Sequence, residues 1–163
     1  MISKWRSGTG NQSYMLRYDQ SSDRFVFEVS DTGSNTITAT ANNFGSPSTG
    51  TWYFLEGYHD ATNDVIGVVV NRGTANTTSH TAGIYDSTAS YSAGGRQGTF
   101  DELDGRLSGM TFYSAIPSDS IRNSLYNAGQ GITYNEYVDD GNSTANLVSW
   151  WHMAETSGDP FRS

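Results

Sequence analysis

The chain has 163 residues, which is enough for one domain with a buried core. Only 16% of the residues are charged, and the 22 Ser, 18 Thr, 18 Gly and 12 Asn favour an all-β fold with many turns over a helical bundle. The net charge of −8 and the lack of a long apolar run argue against nucleic-acid binding and membrane insertion. The chain has no Cys for disulfides or thiolate chemistry, and its N-terminus carries no signal-peptide core.

Alternation of apolar and polar residues predicts the first strands along the chain. Residues 14–18, 24–30 and 36–40 each alternate with a period of two, which is typical of half-buried antiparallel strands. Polar, Gly-rich segments separate these runs and predict the turns between them.

Two richer strands are predicted in the middle of the chain. Residues 51–59 carry aromatic side chains on both faces, and residues 65–70 are nearly all apolar. We expect the second of these strands to be central and covered on both faces. The polar residues 60–64 join the two strands into a hairpin, and residues 74–100 predict weak strands at best.

The C-terminal third combines strands with one helix. We predict strands over residues 107–114 and 146–153 and one short helix near 118–127, since Ser118 can cap it and Gly129 can end it. Many strands and a single helix indicate two packed antiparallel sheets in a single domain over residues 1–163.

Motifs between residues 49 and 137 occur in an order known from one domain type. Residues 51–60 read T-W-Y-F-L-E-G-Y-H-D, residues 66–73 read I-G-V-V-V-N-R-G, residues 109–113 read G-M-T-F-Y, and residues 116–134 carry the helix and its exit. This series resembles laminin-G-like and pentraxin-like domains. The resemblance implies the concanavalin A-like lectin/glucanase fold, an all-β, two-sheet antiparallel jelly-roll sandwich.

The motifs of the resembled domain type are shifted relative to the ends of this chain. The strands that usually precede the position of Ile2 are lacking, while residues 147–158 resemble the opening strand of such a domain. Residues 146–163 are therefore interpreted as the first strand of a following copy, or as a tail strand that closes the same sandwich. Because a sandwich without those strands exposes edges and apolar faces, we expect a homo-oligomer formed through them. Cover from a different chain, or from the rest of a longer protein, is the alternative.

Catalytic carboxylates are not predicted. Glucanases of this fold use two carboxylates on one strand, about 5–5.5 Å apart for a retaining mechanism. The nearest match is Glu102-Leu103-Asp104, but Arg106 stands where the second Glu should be. The sequence therefore predicts that the chain is not an enzyme.

Calcium is the one metal that the sequence and the resemblance favour, although no cofactor is required. Asp60, Asn63 and Asp64 offer oxygen ligands within one hairpin loop, and many domains of the resembled type bind calcium on loops. His59, His80 and His152 match no metal signature. We expect a satisfied structural histidine at His59 and a packed or surface residue at His152.

Exposed aromatic rings are candidates for stacking on sugars. Four aromatic residues occupy loop-like or strand-end positions and are predicted to bind a ligand: Trp5, Tyr85, Tyr91 and Tyr137. Trp52, Trp150 and Trp151 are expected in the core.

The resulting prediction is a non-catalytic adhesion or carbohydrate-binding module of an extracellular, cell-surface or virion protein, with a glycan or protein ligand. The alternatives are a structural or assembly module without a small ligand and, third, a glycan-cleaving hydrolase.

Overall fold

The computed structural model describes residues 1–6, 8, 10–97, 102–151 and 153. This part of the chain is mainly β, which confirms the predicted class. The strands are β1 (Ile2–Arg6), β2 (Asn11–Asp19), β3 (Arg24–Ser30), β4 (Thr36–Thr40), β5 (Leu55–Asp60), β6 (Val65–Val70), β7 (Asn76–Ser79), β8 (Tyr91–Ala93), β9 (Met110–Tyr113) and β10 (Leu147–Trp151). The α-helices in the described residues are α1 (Asp119–Tyr126) and α2 (Tyr134–Asp139), with a 3₁₀ turn at Asn127–Gly129.

The chain divides into two compact units, Met1–Asp104 and a second that begins at Gly105. The first unit contains a five-stranded sheet in the order β4-β3-β2-β1-β8 and a three-stranded sheet in the order β5-β6-β7. Neighbouring strands within both sheets pair antiparallel. The single domain over residues 1–163 stays a prediction.

The two sheets of the first unit share one apolar core. It contains Phe25, Phe27 and Val29 from β3 and alternate residues of β6, all less than 10% exposed. Every residue of β6 from Ile66 to Val70 is buried, which confirms the prediction that this strand is covered on both faces.

Strand β3 is more deeply buried than its alternation predicts. Val26, Glu28 and Ser30, on the face opposite to the shared core, are also buried, so the expectation of a half-buried strand is wrong. Burial of the Glu28 carboxylate is tolerated because Arg17 donates two hydrogen bonds to it, from Nε at 2.6 Å and from Nη2 at 3.2 Å.

Two glycines let aromatic rings lie directly on the strand backbone. A Cβ atom at Gly57 in β5 would lie 2.8 Å from Cγ of Phe27, which is closer than side chains tolerate. Gly67 in β6 likewise leaves room for the ring of Tyr58, its partner in β5. The lack of a side chain at Gly57 and Gly67 therefore allows these close contacts, which add to the packing of the apolar side chains in the β5–β6 hairpin.

The second unit contains β9 paired antiparallel with β10, and both helices. The predicted helix is confirmed as α1, and the Ser118 hydroxyl accepts a hydrogen bond from the Ile121 amide at 3.4 Å. Helix α2 was not predicted, although Thr133 and Glu136 form a capping box at its start. Of the segment interpreted as the start of a following copy, residues 147–151 form β10, and residues 154–163 lie outside the described residues.

Candidate functional site

Four aromatic rings form a cluster between the β2–β3 hairpin and the β4–β5 connection, here called the aromatic edge. Phe25 lies at its centre, with ring centroids 6.3 Å from Tyr18, 6.2 Å from Phe44 and 5.2 Å from Tyr53. The rings of Phe44 and Tyr53 also meet edge to face, at 5.3 Å. These tilted and T-shaped arrangements are those that aromatic rings prefer.

Two rings of the aromatic edge are exposed, and both pack on a buried ring. Tyr18 is 44% exposed and Phe44 is 37% exposed, whereas Phe25 between them is only 9% exposed. Tyr18 and Phe25 are direct cross-strand partners next to the β2–β3 turn, so the backbone fixes their spacing. The two exposed rings are therefore held in place by a ring that belongs to the core.

Charged and polar groups border these rings. The Tyr18 hydroxyl donates to Oδ1 of Asp23 at 2.9 Å, and Nη1 of Arg24 donates to Oγ of Ser46 at 2.8 Å. Hydrogen bonds from the hydroxyls of Ser46 and Tyr18 lower the pKa of Asp23, so this carboxylate is charged at neutral pH. A carboxylate, a guanidinium and a hydroxyl thus lie at the rim of an apolar surface.

An exposed apolar patch with a polar rim is typical of a binding surface. Flat rings can cover the C–H face of a sugar, while rim groups accept and donate hydrogen bonds to its hydroxyls. Tyr18 and Phe44 are not among the residues that the sequence predicts to bind a ligand. Their signal was the position of Tyr18 beside the polar 20–23 turn, together with an isolated Phe in the polar segment 41–50.

The four aromatic residues predicted to bind a ligand occupy very different environments. Trp5 is 4% exposed and Tyr137 is fully buried, so the expectation that they present rings to solvent is wrong. Trp5 lies in β1, in the interior of the five-stranded sheet, and Tyr137 packs on Trp150 in the second unit. Tyr91 is half-buried in β8, where burial and, second, Tyr14 raise its pKa to about 12.

Tyr85 is the predicted residue that remains on the surface. It is 38% exposed, and its ring packs on Gly33, where a Cβ atom would lie 2.8 Å from the ring. Its amide donates to the Ser30 carbonyl at 2.7 Å. Tyr85 is therefore a fixed, exposed ring, separate from those that make up the aromatic edge.

Trp52, expected in the core, is 60% exposed. The predicted strand 51–59 begins only at Leu55, so the alternation that placed Trp52 on a buried face does not apply to it. Trp151 is also exposed, at 38%, and Trp150 is half-buried against Tyr134 and Tyr137.

The predicted calcium loop uses one of its carboxylates to close its own turn. Oδ1 of Asp60 accepts hydrogen bonds from the amides of Thr62 and Asn63, at 3.0 and 3.1 Å, and Oδ2 accepts from Nδ2 of Asn63 at 2.7 Å. Asp64 follows in the left-handed region, with φ 54°. The described residues include no group of three or more His, Cys, Asp or Glu side chains placed to hold a metal. Calcium at Asp60, Asn63 and Asp64 stays a prediction.

Two histidines meet at the same end of the three-stranded sheet. The rings of His59 and His80 lie 5.1 Å apart with planes at 64°. Nε2 of each ring is buried and has no hydrogen-bond partner, so the expectation of a satisfied structural histidine at His59 is wrong. His152 lies outside the described residues.

The nearest sequence match to a pair of catalytic carboxylates lies on the surface. Glu102, Asp104 and Arg106 are all exposed. The more deeply placed carboxylates of Glu28 and Glu56 are bound by arginines: Arg17 binds Glu28, and Arg72 binds Glu56 at 3.1 Å.

Comparison of the chain with protein-family models, with curated proteins and with solved structures finds no match. Within the described ranges, no helix has the length and apolar character needed to cross a membrane.

Proposed function

We propose that this chain is a non-catalytic carbohydrate-binding or adhesion module of an extracellular, cell-surface or virion protein, and that the aromatic edge is its ligand site. The ligand is a glycan, or a protein carrying one. The observation that carries the proposal is a pair of exposed rings on a buried ring, with Asp23, Arg24 and Ser46 at their border.

The strand order supports a concanavalin A-like jelly roll as the fold of this module. The chain forms four strands of one sheet, moves to β5–β7 in the other, and returns with β8 beside β1. Both sheets contribute to one core, as the layers of a sandwich do. This arrangement agrees with the laminin-G-like and pentraxin-like resemblance of the sequence.

The placement of the acids supports a binding role over hydrolysis. A glycosidase needs one carboxylate as an acid and a second as a base or nucleophile. The deeply placed Glu28 and Glu56 are each neutralised by an arginine, which engages them in ion pairs that hold strands together.

The test is a glycan array followed by titration of the best ligand with the full chain and two variants. Tyr18→Ala removes an exposed ring of the aromatic edge. Tyr134→Ala is the matched control, because its ring is 43% exposed against 44% for Tyr18 but belongs to the second unit. We expect Tyr18→Ala to weaken binding at least about tenfold, roughly 1.4 kcal/mol, and Tyr134→Ala to leave it unchanged.

Equal affinities of both variants and the parent chain would refute the assignment to the aromatic edge. A loss seen only with Tyr85→Ala would move the site to the ring on Gly33. Hydrolysis of a polysaccharide that disappears in Glu102→Gln would replace the proposal with the hydrolase alternative.

An assembly module is the second candidate, and one feature of β10 favours it. Val148 is 62% exposed and Trp151 is 38% exposed in a strand whose described partner is β9 alone. Such surface favours association with a second copy of the chain. Light scattering that gives a stable oligomer, lost in Val148→Ser, together with an empty glycan array, would support this candidate. A monomer at all concentrations would exclude it.

A further inference from the structure

We propose that His59 and His80 form a two-nitrogen site for a divalent transition metal, with Zn²⁺ as the representative ion. This site is independent of the aromatic edge and of the carbohydrate-binding proposal. It is also distinct from the predicted calcium loop, whose donors are oxygens.

Sheet register brings the two histidines together on one face. His59 in β5 pairs with Ile66 in β6, and Ile66 pairs with Thr78 in β7. His80 follows β7 directly, and its amide donates to the Asp64 carbonyl at 2.8 Å. His59 in β5 and His80, one residue past the end of β7, therefore lie on either side of β6 next to the 61–64 turn. Both are on the side of the sheet that carries Ile66 into the core.

Both rings hold a nitrogen that lacks a partner. Nε2 of His59 and Nε2 of His80 are each buried without a hydrogen bond, and His80 as a whole is only 5% exposed. Buried polar atoms are nearly always paired, so two unpaired atoms on adjacent rings call for a physical reason. A metal ion that accepts both lone pairs supplies that reason.

The separation of the rings matches shared coordination. Two imidazoles that bind one tetrahedral Zn²⁺ through bonds of about 2.0–2.1 Å have ring centres about 5 Å apart. The centroids of His59 and His80 are 5.1 Å apart, and the planes are inclined at 64°. The separation of the two rings is therefore that of imidazoles that share one ion.

The surroundings also suit a cation. Asp60 and Asp64 stand at the two ends of the turn that follows His59, and their carboxylates make this end of the hairpin negative. The described residues include no cluster of three or more His, Cys, Asp or Glu side chains that could hold a metal, so water completes the coordination. The ion reaches the site from solvent past His59, which is half-buried.

The test is isothermal titration of the chelator-treated full chain with Zn²⁺ at about pH 7.5. We expect one Zn²⁺ per chain. His59→Gln and His80→Gln should each weaken Zn²⁺ binding at least about tenfold, as expected when one of two ligands is lost. His152→Gln is the matched control and should bind Zn²⁺ as the parent chain does.

Two further measurements keep the test decisive if a variant folds poorly. Zn²⁺ at about 100 times its dissociation constant should raise the melting temperature of the parent chain by about 5 °C or more. In the parent chain, Zn²⁺ should shift the imidazole NMR signals of two histidines and leave the third unchanged. No saturable Zn²⁺ binding, undiminished binding in both His59→Gln and His80→Gln, or loss of binding in His152→Gln would overturn the proposal.

Discussion

Replacing Glu28 with Gln removes one charge from an ion pair inside the five-stranded sheet. The Glu28 carboxylate is buried and accepts hydrogen bonds from Nε and Nη2 of Arg17 on the neighbouring strand β2. Asp19 also accepts a hydrogen bond from Arg17, at 2.7 Å. In Glu28→Gln, Arg17 keeps only one carboxylate, and the buried amide cannot accept the guanidinium through two oxygens.

The size of the effect follows from the burial of the two partners. Breaking a fully buried ion pair by removing one partner costs about 3–5 kcal/mol. The Arg17 side chain is 25% exposed and retains Asp19, so solvent and the second carboxylate compensate for part of the loss. We therefore expect Glu28→Gln to lower the free energy of unfolding by about 2 kcal/mol.

The assay is urea denaturation of the parent chain, Glu28→Gln, Arg17→Gln and the double variant. The denaturation midpoint should fall with an unchanged m-value, because the loss is one of native-state stability. The double variant should be more stable than the sum of the single effects by at least about 0.5 kcal/mol. Glu102→Gln, at an exposed position, is the control and should stay within about 0.5 kcal/mol of the parent. Strictly additive single effects would refute the reasoning, since Arg17 and Glu28 would then not stabilise each other.

Three other predictions follow from local geometry. Gly57→Ala should lower the free energy of unfolding by about 1–3 kcal/mol, because a Cβ atom would overlap the ring of Phe27. Gly83→Ala places a Cβ atom in open space and is the control in the denaturation assay, where it should leave the free energy of unfolding unchanged. Hydrogen bonds from Ser22 and others hold the pKa of Asp19 well below its usual value of about 3.9, so stability present above that pH is lost as the pH falls. Asp19→Asn should flatten this acid limb in denaturation curves measured at successive pH values, and an unchanged slope would contradict the assignment. Thr133→Ala should cost α2 about 1 kcal/mol and speed amide exchange in its first turn, whereas unchanged exchange would show that the capping box is dispensable.

Strand positions could be predicted where alternation and burial agree. The predicted bounds 24–30, 36–40 and 65–70 are those of β3, β4 and β6, because each run sets apolar side chains on a face that meets the shared core. The same pattern failed at Trp52. Residues 51–54 alternate like a strand but are not part of one, because alternation describes the order of side chains and not the hydrogen bonds of the backbone.

Helix α2 was not predicted, although the sequence contains a signal for its first residues. Thr133 and Glu136 have the spacing of a capping box, and both of its hydrogen bonds form. The six residues of α2 are too few to show a helical period, so the cap was the one signal present. The composition of the chain favours strands over its whole length and gives no indication of a second helix.

The aromatic edge could not be predicted because its members come from separate segments. Tyr18 and Phe25 are cross-strand partners that the hairpin register predicts, but Phe44 and Tyr53 reach them through a long connection. Aromatic composition indicates that some ring is exposed; the packing of the β4–β5 connection decides which one. Trp5 shows the converse, since a terminal position suggested exposure and an interior strand of the sheet buries it.

The 60–64 hairpin offers oxygen donors that already accept hydrogen bonds. Asp60 accepts three hydrogen bonds that close its own turn, and a calcium ion would have to compete with them for the same oxygens. The unpaired nitrogens of His59 and His80 lose no hydrogen bond when they bind a metal. Where two candidate donor sets lie at one end of a sheet, the set without existing partners has the smaller cost of ligation. We therefore expect this end of the sheet to select Zn²⁺ over Ca²⁺, the order opposite to that suggested by its residue composition.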